Sequence, residues 1–252
     1  MRNPHPFLIA ALAGAVSLMM VASALAAETK VAVAANFTEP VKEIAAKFEA
    51  ATGHKVTLSF GSSGQFYTQI ANGAPFEVFL SADSERPIKA EAGGLAVPGT
   101  RFTYATGRLV LFSKTPGLVD SKGAVLRKGG FEKLSIADPK AAPYGQAAVE
   151  TLTKLRLYNV LKQKIVTGSS ITQAYQYVQT GAAELGFVAL SQVINETGGS
   201  RWIVPSADHT PIDQQAVLLK TGVDNPAAKA FLQYLKSKDA KAIIRRYGYE
   251  VK

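Results

Sequence analysis

Residues 30–65 read KVAVAANFTEPVKEIAAKFEAATGHKVTLSFGSSGQ, and the spacing of apolar side chains in this stretch decides the fold. Lys30-Val31-Ala32-Val33-Ala34 reads as a short buried strand. Val41, Ile44, Ala45 and Phe48 then recur at the i, i+3, i+4, i+7 spacing of a helix. Thr38 is placed to cap that helix, Pro40 sits in its first turn and Gly53 stops it. Residues 56–60 form a second strand and lead into Gly61-Ser62-Ser63-Gly64. A helix carrying Phe66 and Ile70 follows and ends at Asn72-Gly73; residues 78–80 are a third strand, and a helix from about Ser84 runs to Gly93-Gly94. The succession βαβαβα predicts a mostly parallel sheet with helices on both faces.

After Phe102 the pattern restarts. Residues 109–112, 134–137, 165–166, 185–190 and 216–219 read as strands, and residues 114–130 as a surface excursion. Ala148, Leu152 and Leu155 make one helical stripe, and Ala174, Tyr177 and Val178 another. Two terminal helices carry Ala228, Phe231, Leu232 and Leu235, then Ala240, Ile243, Ile244 and Tyr247. There is no internal repeat, low-complexity stretch or flexible linker. The expected organisation is two α/β lobes, residues 27–106 with 212–252 and residues 107–211, joined by strands near 105–109 and 210–216.

The amino terminus reads as an address. Arg2 is the only formal charge before an apolar run from Phe7 to Val21, and Ala22-Ser23-Ala24-Leu25-Ala26-Ala27 supplies an Ala-x-Ala site. That reads as a secretory signal peptide, residues 1–26, so the mature protein is expected to be exported, and without a Cys to anchor it the expected location is the periplasm. Its removal takes 26 of 252 residues and lowers the net charge from +9 to +8. The alternative is a membrane anchor, since residues 7–27 are uncharged, but the run is Ala-rich and ends in a processing site. With 47% apolar residues the chain is too apolar for disorder, and the absence of Cys excludes disulfides, thiolate sites, Cys nucleophiles and a lipoprotein anchor.

Most catalytic chemistries lack their parts. His54 and His209 are isolated in sequence, which argues against a metal site. There is no Gly-x-Ser-x-Gly elbow, no Ser-x-x-Lys pair and no phosphate loop. Lys236, Lys238, Lys241, Arg245 and Arg246 fall on the terminal helices without interleaved aromatics, which reads as a solvated face and not a nucleic-acid surface.

Four strand-to-helix loops carry the functional signal. They are Ala34-Ala35-Asn36-Phe37-Thr38, Gly61-Ser62-Ser63-Gly64-Gln65, Asp138-Pro139-Lys140-Ala141-Ala142-Pro143-Tyr144-Gly145 and Thr167-Gly168-Ser169-Ser170-Ile171-Thr172. In an α/β sheet such loops lie beyond the carboxyl ends of the strands, where ligands bind. Helix N-termini there present unpaired N–H groups and a positive dipole end. Any one Ser-rich loop is most often an ordinary cap; four together, two from each half, point to an anion site. Neutral donors dominate, with Lys140 the one cation and Asp138 at a strand end. A fully ionised oxyanion needs donors only, whereas protonated phosphate benefits from an acceptor. This favours molybdate or sulfate, with Asp83 and Asp138 keeping phosphate open. Six or seven charge-assisted bonds would gross about 10–20 kcal/mol, of which closure takes several back.

Particular stretches resemble the periplasmic molybdate-binding proteins of ABC importers. They are Ala34-Ala35-Asn36-Phe37, Ser59-Phe60-Gly61-Ser62-Ser63-Gly64, Gln69-Ile70-Ala71-Asn72-Gly73-Ala74-Pro75, Phe79-Leu80-Ser81-Ala82-Asp83, Ala142-Pro143-Tyr144-Gly145, Leu185-Gly186-Phe187-Val188 and Arg246-Tyr247-Gly248-Tyr249. The resemblance implies a two-lobed class II periplasmic binding protein fold that takes molybdate, and tungstate with it, in the cleft between the lobes. Carried over by position, Asn36 and Ser63 contact the oxyanion from the first lobe, and Tyr144 and Ile171 from the second, largely through backbone N–H. By composition alone Ile171 reads as core. Ala35, Ser62 and Ala189 are further candidates.

Two departures stand out. Some relatives carry Thr where this chain has Ala35, and others a Tyr where it has Ala189; Tyr144 resembles the subset in which another tyrosine compensates. The family further implies no catalysis, no cofactor, molybdenum only as the oxyanion with no direct protein ligand, transient docking to an inner-membrane permease, and a monomer. The alternatives are a receptor for sulfate or another tetrahedral oxyanion, and an exported hydrolase using Asp83 or Asp138.

Overall fold

The computed structural model describes residues 26–251, so the expected signal peptide lies outside the described residues apart from Ala26. The first strand, β1 (Glu28–Ala34), runs through a 3-10 turn over Ala35–Phe37 into α1 (Thr38–Thr52), and then come β2 (Lys55–Gly61), α2 (Ser63–Ala71), β3 (Val78–Ser81) and α3 (Glu85–Ala92). The expected α1 cap is different in detail: Phe37 holds the N-cap position, and the Thr38 hydroxyl instead donates to the Ala35 carbonyl at 2.8 Å. The inserted 3-10 turn accounts for this, because it occupies the residues before Thr38 and places Thr38 already inside the helix. Gly53 ends α1 as expected, with φ of 74° and its N–H on the Glu49 carbonyl.

The chain then crosses over. β4 (Phe102–Gly107) leads directly to β5 (Leu109–Ser113), and α4 (Val125–Lys128), β6 (Leu134–Ala137), α5 (Pro143–Lys154), α6 (Tyr158–Leu161), β7 (Ile165–Gly168), α7 (Ile171–Gln179), β8 (Leu185–Ala189), α8 (Leu190–Val193) and β9 (Ser200–Ile203) follow. It returns through β10 (Ile212–Leu218) and closes with α9 (Pro226–Leu235) and α10 (Lys238–Arg246).

Two five-stranded sheets result, in the orders β2-β1-β3-β10-β4 and β7-β6-β8-β5-β9. In each, four strands point the same way and one, β10 or β5, runs antiparallel to both of its neighbours. The sheets are therefore mixed. This is the two-lobed fold expected, with a cleft between lobes. After α10 the tail returns to the crossover, where Glu250 and Thr106 exchange backbone hydrogen bonds of 2.8 and 3.0 Å.

Apolar stripes bury as their spacing predicts. Val41, Ile44 and Phe48 of α1 pack with Phe231 and Leu235 of α9 and Ile243 and Ile244 of α10 over one face of the first sheet. Phe66, Ile70 and Ala90, from α2 and α3, cover the other. Each fully buried Phe or Ile contributes roughly 1.5–3 kcal/mol by leaving water. The excursion at 114–130 is not wholly superficial, since Val119, Val125 and Leu126 lie in the core of the second lobe. β9 lacks a sequence signature. Its run Ser200-Arg201-Trp202-Ile203 buries only Trp202 as an edge strand.

Candidate functional site

All four loops singled out in the sequence converge. β1, β2, β6 and β7 end at one small chamber between the lobes, walled by Ala34, Ala35, Asn36, Gly61, Ser62, Ser63 and Ala82 on one side and by Ala142, Pro143, Tyr144 and Ile171 on the other. The centre of a water-sized sphere can move over only about 10 Å³ inside it. That is room for one small compact group and none for an organic ligand.

The walls offer donors. Ser62 is 4% exposed and its Oγ has no protein partner. Leaving a buried hydroxyl unpaired is costly, so this atom fits a ligand that accepts its proton. The Ser63 Oγ accepts from the Ala82 N–H at 2.9 Å, which leaves its own proton to donate. α2, α5 and α7 aim their N-termini at the chamber. Ser63 and Ile171 are the first residues of their helices, and Tyr144 follows Pro143 in the first turn of α5. First-turn amides have no intrahelical acceptor. Ser170 caps α7, its side chain accepting from the Gln173 N–H, so that serine is an ordinary cap.

No ionised side chain lines the chamber. Asp83 is held by the Arg86 guanidinium and the Ser81 hydroxyl, and Asp138 accepts from the Lys140 N–H within its own turn. A carboxylate, the strongest acceptor for the proton of a protonated phosphate, is therefore absent from the wall. Among the described residues there is no group of three or more His, Cys, Asp or Glu able to hold a metal ion. His54 is buried against Phe48 and accepts from the Ala27 N–H, while His209 contacts the Thr210 carbonyl.

Asn36, Ser63, Tyr144 and Ile171 all reach the chamber, as do Ala35 and Ser62. Ala189 does not line it. This residue is fully buried at the end of β8, where its N–H meets the Gln192 side chain. The Asn36 amide is also committed elsewhere, donating to the Gln214 Oε1 at 2.8 Å and the Tyr249 hydroxyl at 3.0 Å. Both amide protons are thus used, and the donor Asn36 keeps for an anion is its backbone N–H. The Tyr144 hydroxyl, the candidate to compensate for Ala189, accepts from the Gln214 side chain at 3.3 Å.

Gln214, Ser191 and Tyr249 form a floor that sequence reasoning missed. The Asn36 carbonyl accepts from the Ser191 hydroxyl at 2.8 Å and the Tyr249 hydroxyl at 2.7 Å, tying α8 of the second lobe to the C-terminal tail. Gln214 was detectable in principle, being the polar residue in the inward set Ile212, Gln214, Ala216 of a period-2 strand. Burial raises the Tyr144 and Tyr104 hydroxyls well above their ordinary value and Tyr249 to about 12, so all three stay protonated at neutral pH.

Two lobes that meet at one small chamber of neutral donors are the arrangement of a solute-binding protein. The sequence matches the bacterial extracellular solute-binding proteins over residues 29–250. It is 59% identical to the molybdate-binding protein ModA of Rhodobacter capsulatus, over 94% of this chain and 95% of that one. It is 58% identical to ModA of Azotobacter vinelandii, over 92% and 93%. The solved periplasmic molybdate-binding protein of Azotobacter vinelandii superposes with a TM-score of 0.86 at 44% identity, covering 89% of this chain and 99% of that one. The chain belongs to the bacterial extracellular solute-binding proteins and, within them, to the ModA family.

Proposed function

We propose that this protein captures molybdate, and tungstate with it, in the periplasm and hands it to the permease of an ABC importer. The observation that carries this reading is a chamber sized for one small group and walled by uncharged donors from both lobes. The names of its relatives support the choice of molybdate among such anions. A fully ionised tetrahedral dianion accepts at every oxygen, so donors alone satisfy it. The Ser62 and Ser63 hydroxyls and the backbone N–H groups of Asn36, Ser63, Tyr144 and Ile171 are assigned to it, with Ala35 contributing its backbone.

The binding unit is a monomer that carries out no catalysis. The carboxylates a hydrolase would use, Asp83 and Asp138, are occupied outside the chamber. Residues 1–26 direct export, and the lobes divide at 106/107 and 211/212. Ligand contacts from both lobes make closure the response to binding. Titration calorimetry with molybdate, tungstate, sulfate and phosphate tests the reading. Heat is expected for the first two alone, at micromolar affinity or better. Tight sulfate binding with no response to molybdate would overturn the choice of ligand.

A further inference from the structure

On the rim beside α3, Asp83 grips the Arg86 guanidinium through one nitrogen, and the other nitrogen donates across the cleft to the Lys140 carbonyl at 2.9 Å. One residue along, the Ala141 carbonyl accepts from the Gly64 N–H at 2.8 Å. Two successive carbonyls of one turn in the second lobe are thus held by the first lobe. The turn itself is prepared: Asp138 accepts the Lys140 N–H with its side chain and the Ala141 and Ala142 N–H groups with its carbonyl. Gly64 allows the approach, because a Cβ there would lie 2.9 Å from the Ala141 Cα and 3.0 Å from the Arg86 Nη2. The same turn runs directly into Ala142, Pro143 and Tyr144 of the chamber wall.

We propose that Arg86, oriented by Asp83, is a positioning residue that latches the closed cleft through the Lys140 carbonyl and so sets how long the oxyanion stays, without touching it. The inference rests on the oxyanion reading of the chamber. Arginine suits the task since one rigid planar head serves the carboxylate and the carbonyl together; a lysine ammonium reaches one or the other. Only the closed form makes these contacts, so their loss speeds opening and leaves encounter with the open form unchanged.

Arg86→Ala and Arg86→Lys are to be compared with the natural protein by rapid-mixing measurements of molybdate association and dissociation. Dissociation is expected to quicken by about tenfold for Arg86→Ala, the equivalent of one net hydrogen bond, with association within twofold. Arg86→Lys is expected to dissociate faster than the natural protein as well. A general loss of structure would lower the melting temperature without separating the two rates. An unchanged dissociation rate in Arg86→Ala overturns the latch. The chain has no Cys, so spin labels on introduced cysteines at the exposed positions Lys47 and Lys133 report lobe separation without any ligand. If the natural protein binds no molybdate, the reading of the chamber fails and these distances alone decide the latch. A wider separation in Arg86→Ala then supports it, and an identical one overturns it.

Discussion

At the scale of single residues, the proposed site assigns Ser62 and Ile171 the same work by opposite means. Ser62 offers a side chain: its hydroxyl is buried in the chamber wall with no protein partner. Ser62→Ala therefore tests the ligand contact proposed for this hydroxyl, which makes no cap hydrogen bond to α2 although Ser62 holds its N-cap position. Molybdate affinity is expected to fall by about 1.5–3 kcal/mol, the worth of a hydrogen bond to a charged group, while the unliganded melting temperature holds or rises because an unsatisfied polar atom is gone. Calorimetry and a thermal melt without ligand check the two halves.

Ile171 offers only its backbone, its side chain lying in the core of the second lobe. Proline is tolerated at the first position of a helix, and Ser170 already has the extended conformation that a following proline requires (φ −147°, ψ 169°). Ile171→Pro should fold, with some loss of packing, and lose tight binding. Ile171→Val should bind normally, and equal affinities for the two would remove Ile171 from the site. This division explains what was legible. Clustered Ser and Gly in a βα loop advertise donors, but a backbone N–H carries no residue signature, so Ile171 came only from resemblance and would otherwise read as core.

At the scale of elements, the strand and helix pattern was readable because each strand and helix before residue 94 carries its own periodicity and its own stop signal. What escaped were features set by tertiary contact: the 3-10 turn before α1, the edge strand β9, and the floor in which Tyr249 meets Asn36 and Ser191 from distant parts of the chain. That floor has a pH consequence. Tyr249 is raised from an ordinary 10.0 to about 12, chiefly by burial. In the unfolded chain the phenol ionises first, so the native state binds more protons between these values. Stability from this group is complete below pH 10 and falls as the pH rises to about 12. Melts across that window should show a decline that is shallower in Tyr249→Phe; an equal slope would remove Tyr249 as its source. The start of α5 makes a separate point. A Cβ on Gly145 would lie 2.1 Å from the Ala137 carbonyl oxygen, and neither backbone can yield freely. Gly145→Ala should destabilise the second lobe by about 1–3 kcal/mol, as overpacking does, and lower the melting temperature.

At the scale of the whole molecule, the net charge of +9, or +8 without Arg2, and the uncharged chamber separate two tasks. Positive charge spread over the surface attracts a dianion from a distance, and that attraction is screened. Inside the chamber the lining offers an anion hydroxyls and amides on residues that are mostly buried, and no charged side chain. The ion pair of the proposed latch, Arg86 with Asp83, is mostly buried, so salt acts on it only weakly. Salt should therefore act on arrival and not on departure. Raising sodium chloride from about 0.01 to 1 M shortens the screening length from roughly 30 to 3 Å, and the association rate of molybdate should fall several-fold. The dissociation rate should stay within about twofold, because nothing that holds the bound anion is exposed to the added ions. Rapid mixing at a series of salt concentrations separates the two rates. A dissociation rate that climbs with salt as steeply as association falls would mean that a surface cation holds the ligand, and Lys140, the one basic residue in the four loops, would be the first to substitute.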